Sequence, residues 1–310
     1  MTKDLTKITD LPVSIINQLM IDSFVFKKKH DQGQKIDNLL KGKVVALVFE
    51  KPSLRTKICF ETATTLLGGI PIFISSGQIL SSGNYMKGRE SIPDIAKNLE
   101  RFADLIVARV FDHETIQEIA ASTKIPVINA LCDKYHPTQA LADMMTIMWH
   151  KKRTDDFKVA YIGDGNNVAT SLMHICASLM VNFTIASPKG YEIPKSELLI
   201  AMKNLKNSSL DFVEEPEKAV CNADVVYTDT FVSMGQEDEY NERIKAFRGY
   251  QVNRQLMKKA KNDALFLHCL PAHRGEEVTD EVIDSKQSVV FDQAECKLHT
   301  AKALLKYFLA

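Results

Sequence analysis

The sequence predicts an α/β fold of two domains, each a parallel β-sheet flanked by helices, with long helices joining them. Three observations carry the prediction. Short apolar runs rich in β-branched residues recur along the chain with helical stretches between them, the layout of repeated β-α-β units. The runs are continuous rather than alternating, as strands buried on both faces require. The series is interrupted at Thr154-Asp155-Asp156 and then begins again, and 310 residues have room for two domains of roughly 150. The expected division is 1–134, completed by the C-terminal helix from about 292, and 135–291.

A capped helix is expected over 8–30, with Thr9-Asp10 before Leu11-Pro12 and Ile15, Ile16, Leu19, Met20 and Phe24 at helical spacing. Val44 to Phe49 reads as a buried strand, ended by Lys51-Pro52 because Pro cannot donate to a ladder. The stripe Ile58, Phe60, Ala63, Leu66, Leu67 predicts the next helix. Pro71 to Ile74 is a short strand, and the Ser- and Gly-rich stretch from Ser75 to Gly88 reads as a mobile loop. A helix from Ser91, a strand at 104–109, a helix near 113–122 and a strand at 126–130 follow. Residues 136–152 form a long helix whose closing Lys151-Lys152-Arg153 suits a helix C-terminus. The second series has strands at 158–163, 183–186, 224–227 and 264–268. Ala301, Leu304, Leu305 and Phe308 place a helix at 294–309.

Composition narrows the function classes. The formal net charge is zero, so the chain as a whole is not drawn to nucleic acid or an anionic membrane. No apolar run is long enough to span a bilayer, and the N-terminus has no signal-peptide core. Six cysteines are scattered without a CxxC pair, which fits cytoplasmic thiols better than a disulfide framework or a zinc site.

In a parallel sheet, ligands bind beyond the carboxyl ends of the strands. Arg55-Thr56, Arg109 and His136 lie there in the first half; Asn166-Asn167, Asp229 and His268-Cys269 lie there in the second. That shared placement predicts a site in the cleft between domains. Ser53-Leu54-Arg55-Thr56 stands where a strand gives way to a helix, whose first turn offers unpaired N–H groups and the positive dipole end. Arg55 adds a fork of donors suited to phosphate. An ordinary Ser N-cap beside a surface Arg would look the same. Gly163-Asp164-Gly165 resembles half of a dinucleotide fingerprint without its third glycine, so the amides of Asn166 and Asn167 are better placed to hold a carboxylate. Around Cys269, His268, His273, Arg274, Glu276 and Glu277 crowd after a strand. A packed, inert thiol and a core histidine fit that stretch as well as chemistry does. A metal is not expected there, since no second ligand set stands at helical spacing.

Four motifs in order, Ser53-Leu54-Arg55-Thr56, His136-Pro137-Thr138-Gln139, Asp229 with Ser233-Met234-Gly235, and His268-Cys269-Leu270-Pro271 with Arg274-Gly275-Glu276-Glu277, resemble the aspartate/ornithine carbamoyltransferase family. The Ser-Met-Gly loop and the His-Cys-Leu-Pro run resemble its ornithine branch. The resemblance spans about Leu11 to the last helix. It implies transfer of the carbamoyl group of carbamoyl phosphate to the δ-amine of L-ornithine, giving L-citrulline and phosphate, with no metal or organic cofactor. By the same resemblance, Ser53, Leu54, Arg55, Thr56 and Arg109 hold the phosphate. His136, Gln139 and Arg274 meet the carbamoyl oxygen and its surroundings, and the Leu270 backbone takes the carbamoyl amine. Asn167, Asp229, Ser233 and Met234 hold ornithine, and Cys269 stands beside the attacking amine as the implied proton acceptor. A cytoplasmic homotrimer is implied, with a side chain of the 75–89 loop (Gln78, Tyr85 or Lys87) reaching a neighbour's site. Lys57, where relatives often carry Arg, departs from the pattern. A carbamoyltransferase for another amine such as putrescine, or a non-catalytic phosphate-binding regulator, are the alternatives.

Overall fold

The computed structural model describes residues 2–75, 90–154, 156–205, 207–233 and 235–310. Gln78, Tyr85, Lys87 and Met234 lie outside the described residues. The chain divides into two compact units, 1–145 with 295–310, and 146–294.

In the first unit, α1 (Val13–Asp31) is followed by β1 (Val44–Phe49), α2 (Leu54–Leu66), β2 (Ile70–Ser75), α3 (Ile92–Leu99), β3 (Leu105–Arg109), α4 (His113–Ser122), β4 (Val127–Leu131) and α5 (Pro137–Lys151). The four strands are all parallel, in the order β2-β1-β3-β4. The inner strands are covered on both faces: Val45, Leu47, Leu105, Ile106 and Val107 are buried completely. Each such side chain stabilises the fold by about 1.5–3 kcal/mol relative to exposure. β2 is the edge strand, with Ile70, Ile72 and Phe73 exposed.

The second unit contains β5 (Lys158–Ile162), α6 (Asn167–Ser178), β6 (Asn182–Ala186), α7 (Lys195–Asn204), β7 (Leu210–Val213), α8 (Pro216–Val220), β8 (Val225–Thr228), α9 (Tyr240–Ala246), α10 (Arg254–Met257), β9 (Leu265–Leu267), α11 (Asp280–Ile283) and the start of α12 (Val290–Leu309). Its parallel order is β7-β6-β5-β8-β9. Its core runs along Ala160, Ile162, Val226 and Phe266, with Phe231 and Phe247 packed on it.

The chain leaves the first unit inside α5 and returns to it inside α12. The boundary between the two units falls at Met145/Thr146, within the helix. The first turns of α5, Pro137 to Met145, are buried and belong to the first unit. The last helix begins at Val290 instead of 294. Among the described residues no helix is long and apolar enough to cross a membrane.

Candidate active site

Both sheets have a topological switch point, where the chain turns from building one side of the sheet to building the other. In the first unit it lies between β1 and β3, in the second between β5 and β8. Loops that leave two adjacent strands in opposite directions open a crevice at the carboxyl end. Ser53, Arg55, Thr56 and Arg109 stand at the first and Asn167, Asp229 and Ser233 at the second, while His136 and Gln139 follow β4 and Cys269, Leu270 and Arg274 follow β9.

At the first, Phe49 is level with Arg109 across the β1–β3 ladder. Ser53 is the N-cap of α2: its backbone is extended and its Oγ accepts from the Thr56 N–H at 3.3 Å. Thr56 is buried and Arg55 half-buried on the first turn. His136, Thr138 and Gln139 open α5, all buried. Lys297, from α12, reaches into this group. Its Nζ lies 2.9 Å from Gln139 Oε1, 3.3 Å from His136 Nε2 and 3.4 Å from Thr56 Oγ1. Gln139 is aligned from behind by its amide, which donates to Asp143 Oδ1 at 2.8 Å.

His136 is held well below the ordinary histidine range, first by burial and then by the charges of Lys297, Arg109 and Arg55. Three cations therefore bear on one neutral imidazole. Its Nε2 faces the Lys297 ammonium, which can only donate. That assigns the ring proton to Nδ1, which lies 3.4 Å from Thr138 Oγ1, while the Thr138 hydroxyl donates to the Ala130 carbonyl. Lys51, buried beside this group, is also depressed, by burial and by Arg109. A concentration of positive charge at a helix N-terminus is a site for a multiply charged anion.

At the second switch point, Asn166 caps α6 with its Oδ1, which accepts from the Val168 and Ala169 N–H groups at 3.0 Å. Its amide donates to Asp229 Oδ2 at 3.0 Å, and the Cys269 thiol donates to Asp229 Oδ1 at 3.1 Å. Both Asp229 oxygens are thus engaged, and the structure joins Asp229 to Cys269 as the sequence motifs implied. Asn167 occupies the first position of α6, half-exposed. Ser233 is half-buried, its N–H donating to Gln236 Oε1 at 3.1 Å. Gly165 has no room for a side chain: a Cβ would come within 2.3 Å of the Ile193 nitrogen.

Beyond β9, His268 is fully buried. Its Nδ1 accepts from the Leu270 N–H at 2.9 Å, and its Nε2 donates to buried Glu277 Oε1 at 3.1 Å. These bonds hold Leu270 at φ +57°, a strained conformation for a bulky residue. Asp229, His268 and Cys269 bring one ligand-type atom each within 4.8 Å of the others. A metal ion there would have to displace the Leu270 N–H and the Cys269–Asp229 bond.

Arg274 follows β9 in the second unit. It is exposed, and its guanidinium donates to Asp280 at 2.7 Å and to Asp284 at 2.6 and 2.8 Å. Within the first unit the structure joins Lys297, a residue outside the four sequence motifs, to His136 and Gln139. Its signal was there: Lys297 stands one turn before Ala301 in line with the apolar stripe Ala301, Leu304, Leu305, so the pattern aimed it at the interior.

Residues 3–149 match the model of the aspartate/ornithine carbamoyltransferase carbamoyl-P binding domain, and residues 155–308 that of the Asp/Orn binding domain. The chain belongs to the aspartate/ornithine carbamoyltransferase family. It is 47% identical to the ornithine carbamoyltransferase of Bacillus subtilis over 311 residues, covering 99% of this chain and 94% of the relative. It is 46% identical to the anabolic ornithine carbamoyltransferase of Pyrococcus furiosus, covering 98% and 95%. The solved Pyrococcus furiosus enzyme superposes with a TM-score of 0.94 at 44% identity over 99% of this chain and 97% of that one. The anabolic enzyme of Campylobacter jejuni superposes with a TM-score of 0.91 at 37% identity, covering 99% and 98%. The carbamoyltransferase fold thus accounts for both sheets, and the family's Asp/Orn match runs on into α12, whose last part packs with the first unit.

Proposed function

We propose that the chain is an ornithine carbamoyltransferase: carbamoyl phosphate and L-ornithine give L-citrulline and phosphate. The observation that carries the reading is the cluster of Arg55, Arg109 and Lys297 around neutral His136 at the N-terminus of α2, a built site for a phosphorylated substrate. Near full-length identity to ornithine carbamoyltransferases supports ornithine as acceptor.

Ser53, Leu54, Arg55, Thr56 and Arg109 bind the phosphate of carbamoyl phosphate. His136, Gln139 and Arg274 stand at its carbamoyl end, with Lys297 beside His136 and Gln139. Leu270 contributes its backbone carbonyl. Asn167, Asp229, Ser233 and Met234 hold the amino acid. The neutral δ-amine attacks the carbamoyl carbon. Negative charge builds on the carbonyl oxygen, where Arg55, Arg274 and the Lys297 ammonium stabilise it, while His136 Nε2 holds Lys297 in place as its acceptor. The C–O bond to phosphate then breaks, and the phosphate leaves with the bonding pair. Cys269 is protonated toward Asp229, so its sulfur accepts an N–H hydrogen bond from the amine and aims the lone pair. The amine proton passes to the departing phosphate. Most of the rate comes from holding the two reactants in place.

A homotrimer with shared sites is part of the proposal. Exposed Leu54, Ile58, Ile70 and Ile72 along α2 and β2 support an oligomeric interface. The compartment proposed is the cytoplasm, supported by six cysteines scattered along the sequence without a CxxC pair. The deciding assay offers ornithine, putrescine and aspartate side by side with carbamoyl phosphate. Ornithine should be preferred over putrescine by a large factor, on the order of 10⁴ where buried polar groups would be left unpaired. Equal turnover of putrescine would rule out the acceptor proposed.

A further inference from the structure

We propose that Arg243 is the positioning residue for the amino-acid side of the reaction: one buried guanidinium ties the loop after β5 to the loop after β8 and so fixes where Asp229 and Ser233 stand. The inference rests on the function proposed above and goes beyond it, since Arg243 is not among the residues that meet substrate.

Arg243 lies on α9 and is 6% exposed. Its NH1 donates at 3.0 Å to Asp164 Oδ2, in the loop after β5, and at 3.0 Å to the Phe231 carbonyl, in the loop after β8. Its Nε donates to Glu239 Oε2 at 2.9 Å, and its plane lies 5.0 Å from the Tyr191 ring. Four segments of the second unit are therefore joined by one side chain. Phe231 is central among them. It stacks on Phe247 with centroids 4.6 Å apart, Asp229 is two residues before it and Ser233 two after. A shift of the Phe231 carbonyl moves both substrate-side groups together.

The two loops are also joined by Asn166 and Asp229. Arg243 is needed besides because Asp164 is buried close to Asp229, and like charges there repel. Burial pushes the Asp164 carboxyl up to about 6, the Asp229 charge adds to that, and Arg243 opposes it. Without Arg243 the two loops would carry uncompensated acids facing each other. A planar fork with donors on two edges suits three acceptors in different directions; the single ammonium of a lysine does not.

The test uses the full chain with Arg243→Gln and Arg243→Lys. Steady-state kinetics gives KM for each substrate, and hydrogen–deuterium exchange without substrate reads the loops directly. Arg243→Gln should raise KM for ornithine by at least about tenfold, the loss of one charge-assisted bond, with KM for carbamoyl phosphate unchanged within about twofold. Exchange should quicken in peptides spanning 163–168 and 229–233 and stay the same across 44–66. Arg243→Lys should fall between wild type and Arg243→Gln on both readouts. Unchanged ornithine KM with unchanged exchange overturns the inference. So does an equal loss for both substrates with faster exchange throughout, which is general destabilisation. If the wild type forms no citrulline, the proposed function fails, and the exchange pattern alone decides whether Arg243 ties the loops.

Discussion

A buried lysine beside a histidine forbids the histidine a second positive charge. Lys297 does this to His136, which contributes to the site as a neutral hydrogen-bonding ring while the charge is carried by Lys297, Arg109 and Arg55. Lys297→Met keeps the stem and removes the charge. It should weaken carbamoyl phosphate binding by at least about tenfold, since a hydrogen bond to a charged group contributes about 1.5–3 kcal/mol. The His136 pKa should move up toward its ordinary value, because one of the cations that depress it is gone. Calorimetry and an NMR titration of the imidazole check the two halves, and unchanged phosphate affinity would detach Lys297 from the substrate. Cys269 poses the complementary question on the amine side. Cys269→Ser keeps a donor to Asp229 but replaces a large, soft sulfur as acceptor. We expect kcat to drop more than about tenfold with carbamoyl phosphate affinity little altered. The free δ-ammonium titrates near 10.4, so kcat/KM for ornithine should also rise from about pH 6 toward 8–9 in the wild type. Normal turnover by Cys269→Ser would return the thiol to a packing role.

The start of α2 has two duties that a substitution can separate. Ser53 caps the helix through its Oγ and stands where phosphate is proposed to bind. Aspartate caps as well as serine and suits the positive end of the dipole, yet its charge repels phosphate. Ser53→Asp should therefore keep stability within about 0.5 kcal/mol while carbamoyl phosphate affinity falls by more than about tenfold. Retained affinity would show that Ser53 is only a cap. Elements of this kind were legible in the sequence because strand and helix signals met at one tetrapeptide. β1 came out as Val44 to Phe49 because both its faces are buried and its apolar run is unbroken. β7 did not come out. Leu210-Asp211-Phe212-Val213 is a half-exposed edge strand, so one charged residue was enough to hide it. The short α8, α10 and α11 lack the length for a periodic pattern. Among site residues, Asp229 and Cys269 were legible as motif members, and the structure joins them. Arg274 was legible as a motif member too, but its partners Asp280 and Asp284 are a local matter that motif order does not encode. Lys297 and Arg243 act through tertiary contacts from distant helices, and only the Lys297 position left a trace in periodicity.

The two units bury titratable groups whose shifts have opposite signs, so acid should act on them differently. In the first unit, His299 of α12 is fully buried, its Nε2 3.1 Å from Glu295 Oε1, with Lys27 and His30 of α1 facing it. Burial, aided by the charges of His30 and Lys27 and opposed by Glu295, lowers the His299 pKa from 6.5 to about 4. In that window the unfolded chain binds a proton that the folded chain does not. Stability from this group is complete above pH 6.5 and is lost as the pH falls toward about 4, to the extent of roughly 3 kcal/mol. His136, also depressed, adds a loss of the same sign. In the second unit, Asp164 is raised from 3.8 to about 6, so the folded chain binds the extra proton, and this unit gains stability from Asp164 as the pH falls through that range. The sign of each contribution is testable with one variant. His299→Gln retains an amide donor for Glu295 and cannot titrate. Between pH 6.5 and 4 the wild type should lose more stability than His299→Gln, by roughly 3 kcal/mol at the acid end, several degrees in unfolding midpoint for a unit of this size. Scanning calorimetry on both proteins across that range makes the comparison, and the difference should belong to the transition of the first unit. Parallel pH profiles for wild type and variant would mean that His299 keeps its ordinary pKa in the folded chain, and the acid sensitivity of this unit would then have to come from His136.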